Sequence, residues 1–580
     1  MALGRRPLAL LLALVLAVGA TRAATGAGAE AAALLARFFP PPPVSTAPAN
    51  LPLPPLPAVE RPAVAPAAHN EGVDLNNQGL AALERGDIPG AAASFRAAVA
   101  RDPGAVAFRH NLALALDRGG REPAAALEEY RRLMTLAADR PGDLARAAFG
   151  AGRVLQFQLK RPREALPYFE RALAADPGFM AAGVGALGEA WYRAGHPDRA
   201  VAVLRQHAAR LPTDDPYPLY LLGSLLSEQG DFPEALRALT TAAAQDHEGY
   251  AREALLRTRF FAGQLEGLAT ACAEVLATCR DLPNRKSLEH LHRVLTAQTY
   301  RVSELVDLSF NRPRDITRLF LLLRPIGDVP GHQTATLEGA RLESGGQAVA
   351  LPAGERDEQG RLRLTLPAER FAPRLQVRVV WRVAVEPWLA SRGRFHPAGE
   401  PDLAQLRQDP RLCLEHPVLS ALVERLRKEP GNYLQNAFKM VGRGLAYREN
   451  FQDHDLAWAF LHPDETDCTE FALLLTALCL RNDIPARVVG GLLVKDEMLG
   501  RLSEIGHAWC EVWFPGKGWI AVDPTLGRTM DWAYFGNLLA DQIVFSTDPE
   551  QARSRVSIDY LASDGGAQVK LKSAFLIEQL

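Results

Sequence analysis

The order of apolar and polar positions changes character twice along the chain. Between about residues 72 and 250 an alanine is followed four positions later by a large apolar residue: Ala91 with Phe95, Ala165 with Phe169, Ala200 with Leu204, Ala235 with Leu239. The last three of these alanines are spaced 35 residues apart. Each unit also tends to carry an earlier small residue (Gly79, Leu187-Gly188, Leu222-Gly223) and a closing proline (Pro103, Pro177, Pro212). Turns such as Arg85-Gly86-Asp87 and Gln229-Gly230-Asp231 divide a unit into two helical stretches. A small residue lets one helix approach another, and the ring or leucine beside it fills the gap. About five units of two antiparallel helices are therefore predicted, stacked into a solenoid with a concave face. A repeat near Ala125 is irregular, and Ala269 marks a degenerate sixth.

From Tyr300 to Trp388 the period falls to two. Residues 300–306, 361–366 and 375–379 alternate in polarity, and turn-rich pieces such as Asp357 to Gly360 separate them, which predicts a β-sandwich. Helical spacing returns between Pro417 and Tyr447, with Leu419, Leu422, Val423 and Leu426 on one side.

The next segments carry candidate chemistry. Cys468 opens a nearly continuous apolar run to Leu480 that reads as a buried helix, with Asp464, Thr466 and Asp467 available to cap it. The positive end of a helix macrodipole favours a thiolate over a thiol at such a position. Ile484-Pro485-Ala486-Arg487-Val488-Val489 then reads as a strand. Gly506-His507-Ala508-Trp509 begins another, which a Pro515-Gly516-Lys517-Gly518 turn joins to Trp519-Ile520-Ala521-Val522-Asp523-Pro524-Thr525. If Trp513 pairs with Trp519, His507 and Asp523 become diagonal neighbours on one face, and a slip of one residue would part them. A helix-end thiol, an imidazole and a carboxylate form the set that cysteine catalysis requires. The backbone N–H of Cys468 with a donor from Tyr447 or Gln452 would make an oxyanion site. Cys479, Cys510, Trp509, Trp513 and Trp519 read as packing residues.

Composition narrows the class. The chain of 580 residues is too long for one core, and its 65 basic and 67 acidic residues nearly cancel, so nothing points to nucleic acid or an anionic membrane. Arg5 and Arg6 ahead of the apolar run Leu8 to Val18, with small residues around Ala20 and Ala23, read as an export signal; the run is short of the ~20 residues of a span. Proline and alanine dominate from Phe38 to about Ala68, which reads as an extended spacer that buries too little surface to fold. A free nucleophile leaves five of the six cysteines, an odd number, and Cys272 and Cys279 on one helix would stand roughly 10 Å apart, so no disulfide framework is expected. No His/Cys cluster at ligand spacing and no calcium-loop cluster is found, so no metal or cofactor is expected.

Two resemblances follow from these motifs. The helix pairs resemble the tetratricopeptide repeat. Cys468 opening a helix, then Ile-Pro-Ala-Arg, His-Ala-Trp and Asp-Pro-Thr in that order, resemble the transglutaminase-like superfamily; Thr466 stands where that family often has Gly before Asp-Cys. The resemblance implies a papain-like fold, acyl transfer through a thioester, catalytic roles for Cys468, His507 and Asp523, and a preceding β domain. The expected layout is a signal peptide (1–23), a Pro/Ala-rich linker (24–70), a solenoid (71–297), a β-sandwich (298–400) and an α+β catalytic domain (401–580). The expected function is that of an exported, periplasmic or envelope cysteine amidase, protease or acyltransferase acting on a protein or peptide, with a protein partner on the concave face of the repeats. The other reading is an inactive scaffold whose repeats bind a partner in the cell envelope.

Overall fold

Close approach at glycine sets the spacing of the N-terminal helices. In the computed structural model the rings or branches of Phe95, Phe169, Leu204 and Leu239 lie against Gly79, Gly152, Gly188 and Gly223, where even a Cβ would collide. The structure describes residues 37–38, 53–58, 61–179, 183–208, 215–392, 401–450, 452, 454–504, 506–526, 532–546, 555–563 and 565–580. The expected signal peptide and most of the linker lie outside them. The described residues divide into two compact units. One holds residues 53–258 with 279–283, and the other holds Arg37, Phe38, residues 259–278 and residues from Asn284 onward.

The first unit contains five helix pairs. They are α1 (Pro66–Glu84) with α2 (Ile88–Arg101), α3 (Val106–Gly119) with α4 (Pro123–Leu136), α5 (Pro141–Arg153) with α6 (Pro162–Ala175), α7 (Val184–Arg193) with α8 (Pro197–His207), and α9 (Tyr217–Glu228) with α10 (Phe232–Gln245). The irregular repeat takes its place one residue later than Ala125, with Ala126 and Tyr130 both buried on α4. Prolines start most second helices, where the missing N–H has no intrahelical partner to lose. Helices α11 (Tyr250–Phe261), α12 (Leu268–Thr278) and α13 (Arg285–Val294) follow.

The second unit is built on strands. A six-stranded sheet runs β4-β3-β7-β1-β14-β9, from β1 (Gln298–Phe310), β3 (Gln333–Ser344), β4 (Gln347–Ala350), β7 (Arg374–Val385), β9 (Leu502–Ser503) and β14 (Val569–Gln579). A four-stranded sheet runs β13-β2-β6-β5, from β2 (Ile316–Leu323), β5 (Glu355–Arg356), β6 (Leu362–Leu366) and β13 (Val556–Ala562). Their inner faces share one core with Tyr300, Val302, Leu321, Leu364, Val379 and Ile577. The expected sandwich is present, but the chain's last strands complete it: β14 pairs with β1 and β13 with β2. The alternation of β13 and β14 is legible in the sequence; the sheet they join is not, because pairing between distant strands leaves no local pattern.

The remaining elements are α14 (Pro417–Lys428), α15 (Tyr433–Gly444), α16 (Leu456–Leu461), α17 (Cys468–Leu480), and a sheet β11-β10-β8-β12 of β8 (Ala486–Leu493), β10 (His507–Phe514), β11 (Gly518–Val522) and β12 (Gln542–Ser546). Helix α17 is apolar on all sides and sits at the centre, buried from Phe471 to Leu480. It packs on β10 through Cys510, whose Sγ lies 3.0 Å from the Ala472 carbonyl and 3.2 Å from Thr476 Oγ1.

Two parts of the proline-rich stretch are not a free spacer. Phe38 is 2% exposed within the core that contains α15 and α17, against Gly444, where any side chain would occupy the space of its ring. Arg37 donates to the carbonyls of Gly444 (2.5 Å) and Pro463 (3.3 Å) and to both Asp464 oxygens (2.6 and 3.0 Å). Residues 53–58 pack on the solenoid. Average composition misses both, since one aromatic ring or two leucines are enough to anchor an extended chain.

Candidate active site

Cys468 occupies the first position of α17, and the segment before it is tightly specified. Asp467 caps the helix by accepting from Thr469 N–H (2.8 Å), while Glu470 accepts from Asp467 N–H (2.7 Å), forming a capping box. Tyr447 and Thr466 pair in parallel, and Thr466 Oγ1 donates to the Ala446 carbonyl (3.0 Å). Arg37 joins the Gly444 carbonyl to Pro463 and Asp464, which lie two or three residues before the members of this bridge. Tyr447 is thereby held beside the entry to the Cys468 helix.

The hairpin adopts the register that the tryptophans suggest: Trp513 pairs with Trp519 and Cys510 with Val522. His507, the first residue of β10, lies opposite Gly491 of β8, and a Cβ there would strike the Trp509 ring. Immediately after β11 comes Asp523, 1% exposed, whose Oδ1 accepts from Thr525 N–H (3.1 Å). Its Oδ2 stands 2.6 Å from His507 Nε2. Cys468 lines the same cleft as His507 and is among the groups that raise its imidazole. With Nε2 committed to Asp523, the ring nitrogen left for the thiol is Nδ1.

Charge in this line is strongly coupled. Burial alone would keep the His507 imidazole neutral. The Asp523 carboxylate, its hydrogen bond, and Cys468 outweigh burial and push the imidazole up to about 10. The ring is therefore cationic at neutral pH.

Cys468 and His507 open into a cleft of about 350 Å³. Tyr447 and Gln452, the two donors named from the sequence, both line it, as do Asp467, Thr469 and Ala508. The opposite wall comes from the sandwich and its returning strands: Arg324, Arg555, Ser573 and Phe575. The loop that leads to His507 is pinned to that wall, since β9 pairs with β14 and Gly500 N–H donates to the Ile577 carbonyl (2.8 Å). Arg555 is fixed by Glu304, fully buried on β1 (3.0 Å), and its guanidinium lies 4.3 Å over the Phe545 ring. Sequence reading missed these wall residues; the arginines are ordinary locally and become notable only through distant strand pairing.

With that geometry in view, comparison with known proteins assigns the region. Residues 420–524 match the transglutaminase-like superfamily model. The transglutaminase-like region thus runs from α14 to one residue past Asp523 and contains Cys468 and His507. Residues 76–142 and 156–225 match tetratricopeptide-repeat models. No curated protein is detectably similar in sequence. Among solved structures, the chain is similar to a Cytophaga hutchinsonii protein described provisionally as a cysteine protease, with 15% identity over 48% of this chain and 91% of that one and a TM-score of 0.31. It is also similar to YrrB, described as a tetratricopeptide-repeat protein with an unusual peptide-binding site (22% identity, 34% of this chain, 96% of that one, TM-score 0.28). PilF of Pseudomonas aeruginosa shares 18% identity over 39% of this chain and 99% of that one, with a TM-score of 0.33.

The other cysteines stand apart from this chemistry. Cys479 and Cys510 are fully buried and their thiols are raised by desolvation, Cys510 to about 12. All six cysteines are unbridged. Trp509 is fully buried, its ring 5.8 Å from that of His507, and Trp513 and Trp519 pack edge to face. Among the described residues no group of three or more His, Cys, Asp or Glu is placed to hold a metal, and no helix is long and apolar enough to cross a membrane.

Proposed function

We propose that the chain is an exported cysteine-dependent acyl-transfer enzyme of the cell envelope, with Cys468 as nucleophile, His507 as acid and base, and Asp523 as orienting carboxylate. The observation that carries this reading is that Cys468 and His507 open into one cleft while the His507 imidazole is held 2.6 Å from the buried Asp523 carboxylate. The Cys468 thiolate attacks the carbonyl carbon of a peptide, isopeptide or glutamine side-chain amide. The oxyanion is met by the Cys468 N–H, which at the first helical position has no intrahelical acceptor, and by Tyr447 or Gln452. Collapse of the tetrahedral adduct breaks the C–N bond, the imidazolium gives its proton to the departing amine, and a thioester remains. Water, or an amine in a cross-linking reaction, then attacks the thioester while His507 takes its proton, restoring the thiolate–imidazolium pair. Hydrolysis is the preferred outcome, and the repeats bring the protein or peptide substrate or a partner.

The test is selective labelling of the full chain with a fluorescent iodoacetamide at pH 6, followed by mass spectrometry of acyl adducts on Cys468 after incubation with peptide amides. Labelling and adducts should vanish in Cys468→Ala. Labelling of that variant as strong as wild type would end the proposal.

A further inference from the structure

The solenoid carries a bound peptide of its own making. Residues 53–58, Leu53-Pro54-Pro55-Leu56-Pro57-Ala58, form neither helix nor strand. Leu53 and Leu56 are partly buried against the solenoid core, whereas Pro54, Pro55, Pro57 and Ala58 are exposed. Three residues make one turn of a polyproline helix, so positions three apart share a side; the burial follows that period. Arg171 of α6 reads the backbone, its Nη2 donating to the Leu53 carbonyl (2.8 Å) and the Pro54 carbonyl (2.7 Å). Farther along, Arg61 Nη2 donates to the Leu136 carbonyl at the end of α4 (3.1 Å) and to Asp139 (2.6 Å). Pro62 then rests against Gly104, just after α2. The strap therefore crosses the second helices of three successive pairs. Its run from 53 to 58 is about 15 Å at ~3.1 Å per residue.

A mere tether requires none of this. Consecutive carbonyls of a proline-rich chain have no intrachain donors, so a guanidinium that holds two of them recognises extended backbone. Leucines three apart set spacing, and the prolines are already ordered before binding. We propose that this face of α4 and α6 is a docking site for a proline-rich segment of a partner protein with two leucines three positions apart, and that residues 53–58 occupy it as an intramolecular competitor. The site is separate from the cysteine cleft and does not depend on catalysis. A strap tethered directly to α1 acts at an effective concentration of ~1 mM, so a strap segment whose own Kd for the site is ~10 μM weakens a competing partner peptide roughly 100-fold.

The experiment is fluorescence anisotropy of a labelled peptide with the sequence of residues 51–58, titrated with the full chain. Leu53→Ser with Leu56→Ser empties the site, and Pro54→Gly with Pro55→Gly loosens the strap while keeping its leucines. Both double variants should bind the peptide at least tenfold more tightly than wild type. Adding Arg171→Ala to either should cost at least tenfold, and a peptide with both leucines replaced by serine should not bind. Binding by both double variants no tighter than wild type, or binding indifferent to Arg171→Ala, would overturn the proposal.

Discussion

Replacing Asp523 with asparagine keeps the size of the side chain, leaves one acceptor oxygen where there were two, and removes one charge. In the wild type that charge is the leading influence raising the His507 imidazole from about 6.5 to about 10, so at pH 7 the protonated ring is favoured ~10³-fold. Without it the largest remaining influence is burial, which favours the neutral ring. The positive partner of a thiolate at Cys468 then disappears at neutral pH. An unassisted thiol, ionising near 8.5, is only ~0.3% thiolate at pH 6, and only the thiolate reacts with alkylating agents. Iodoacetamide alkylation of Cys468 at pH 6 should therefore slow by about two orders of magnitude in Asp523→Asn. Peptide mass spectrometry separates Cys468 from the buried Cys272, Cys279, Cys479 and Cys510 and from Cys413. At pH 9.5 the difference should shrink to a few-fold, because a thiol without help ionises there. A variant that melts like wild type and alkylates at pH 6 within threefold of it would refute the argument.

The same histidine predicts a pH dependence of stability. Its folded value is raised, so its proton stabilises the fold fully below about 6.5, and this contribution is lost as pH rises toward about 10; calorimetric melting temperatures should fall across that window more steeply in wild type than in Asp523→Asn. Glu470, pushed up to about 8 by burial and then by Asp467, holds a proton that the unfolded chain releases near 4.5, so stability falls between those values. Glu470→Gln should melt above wild type at pH 8 and equal it near pH 4.5, while Glu470→Ala loses the capping box and ~1 kcal/mol at pH 4.5 by urea unfolding. Phe38→Ala empties a site that is 2% exposed and should cost about 3–5 kcal/mol in the second unit, read by urea denaturation. Arg487→Met leaves the fully buried Glu511 without the guanidinium now 2.6 and 2.9 Å from it, and should cost about 3–5 kcal/mol in the same assay.

What the sequence determined by itself was whatever repeats or pairs locally. A 35-residue step forces helix pairs, because the small residue and the large one must meet at every turn of the solenoid. The hairpin likewise fixes its own register: a tight turn aligns Trp513 with Trp519, and a period of two then carries His507 and Asp523 into reach. The cap of the Cys468 helix is written in Asp467 and Glu470, three residues apart. Only the tertiary structure decided what closes the cleft. Strands β13 and β14 return across more than two hundred residues to β2 and β1, and with them Arg555, Ser573 and Phe575 become neighbours of Cys468. The fates of Phe38 and of residues 53–58 were settled in the same way, by a socket at Gly444 and a guanidinium at Arg171. Short-range patterns fix φ, ψ and register within an element. Contacts between distant elements depend on shapes that exist only after each element has folded, so no local reading of the chain contains them.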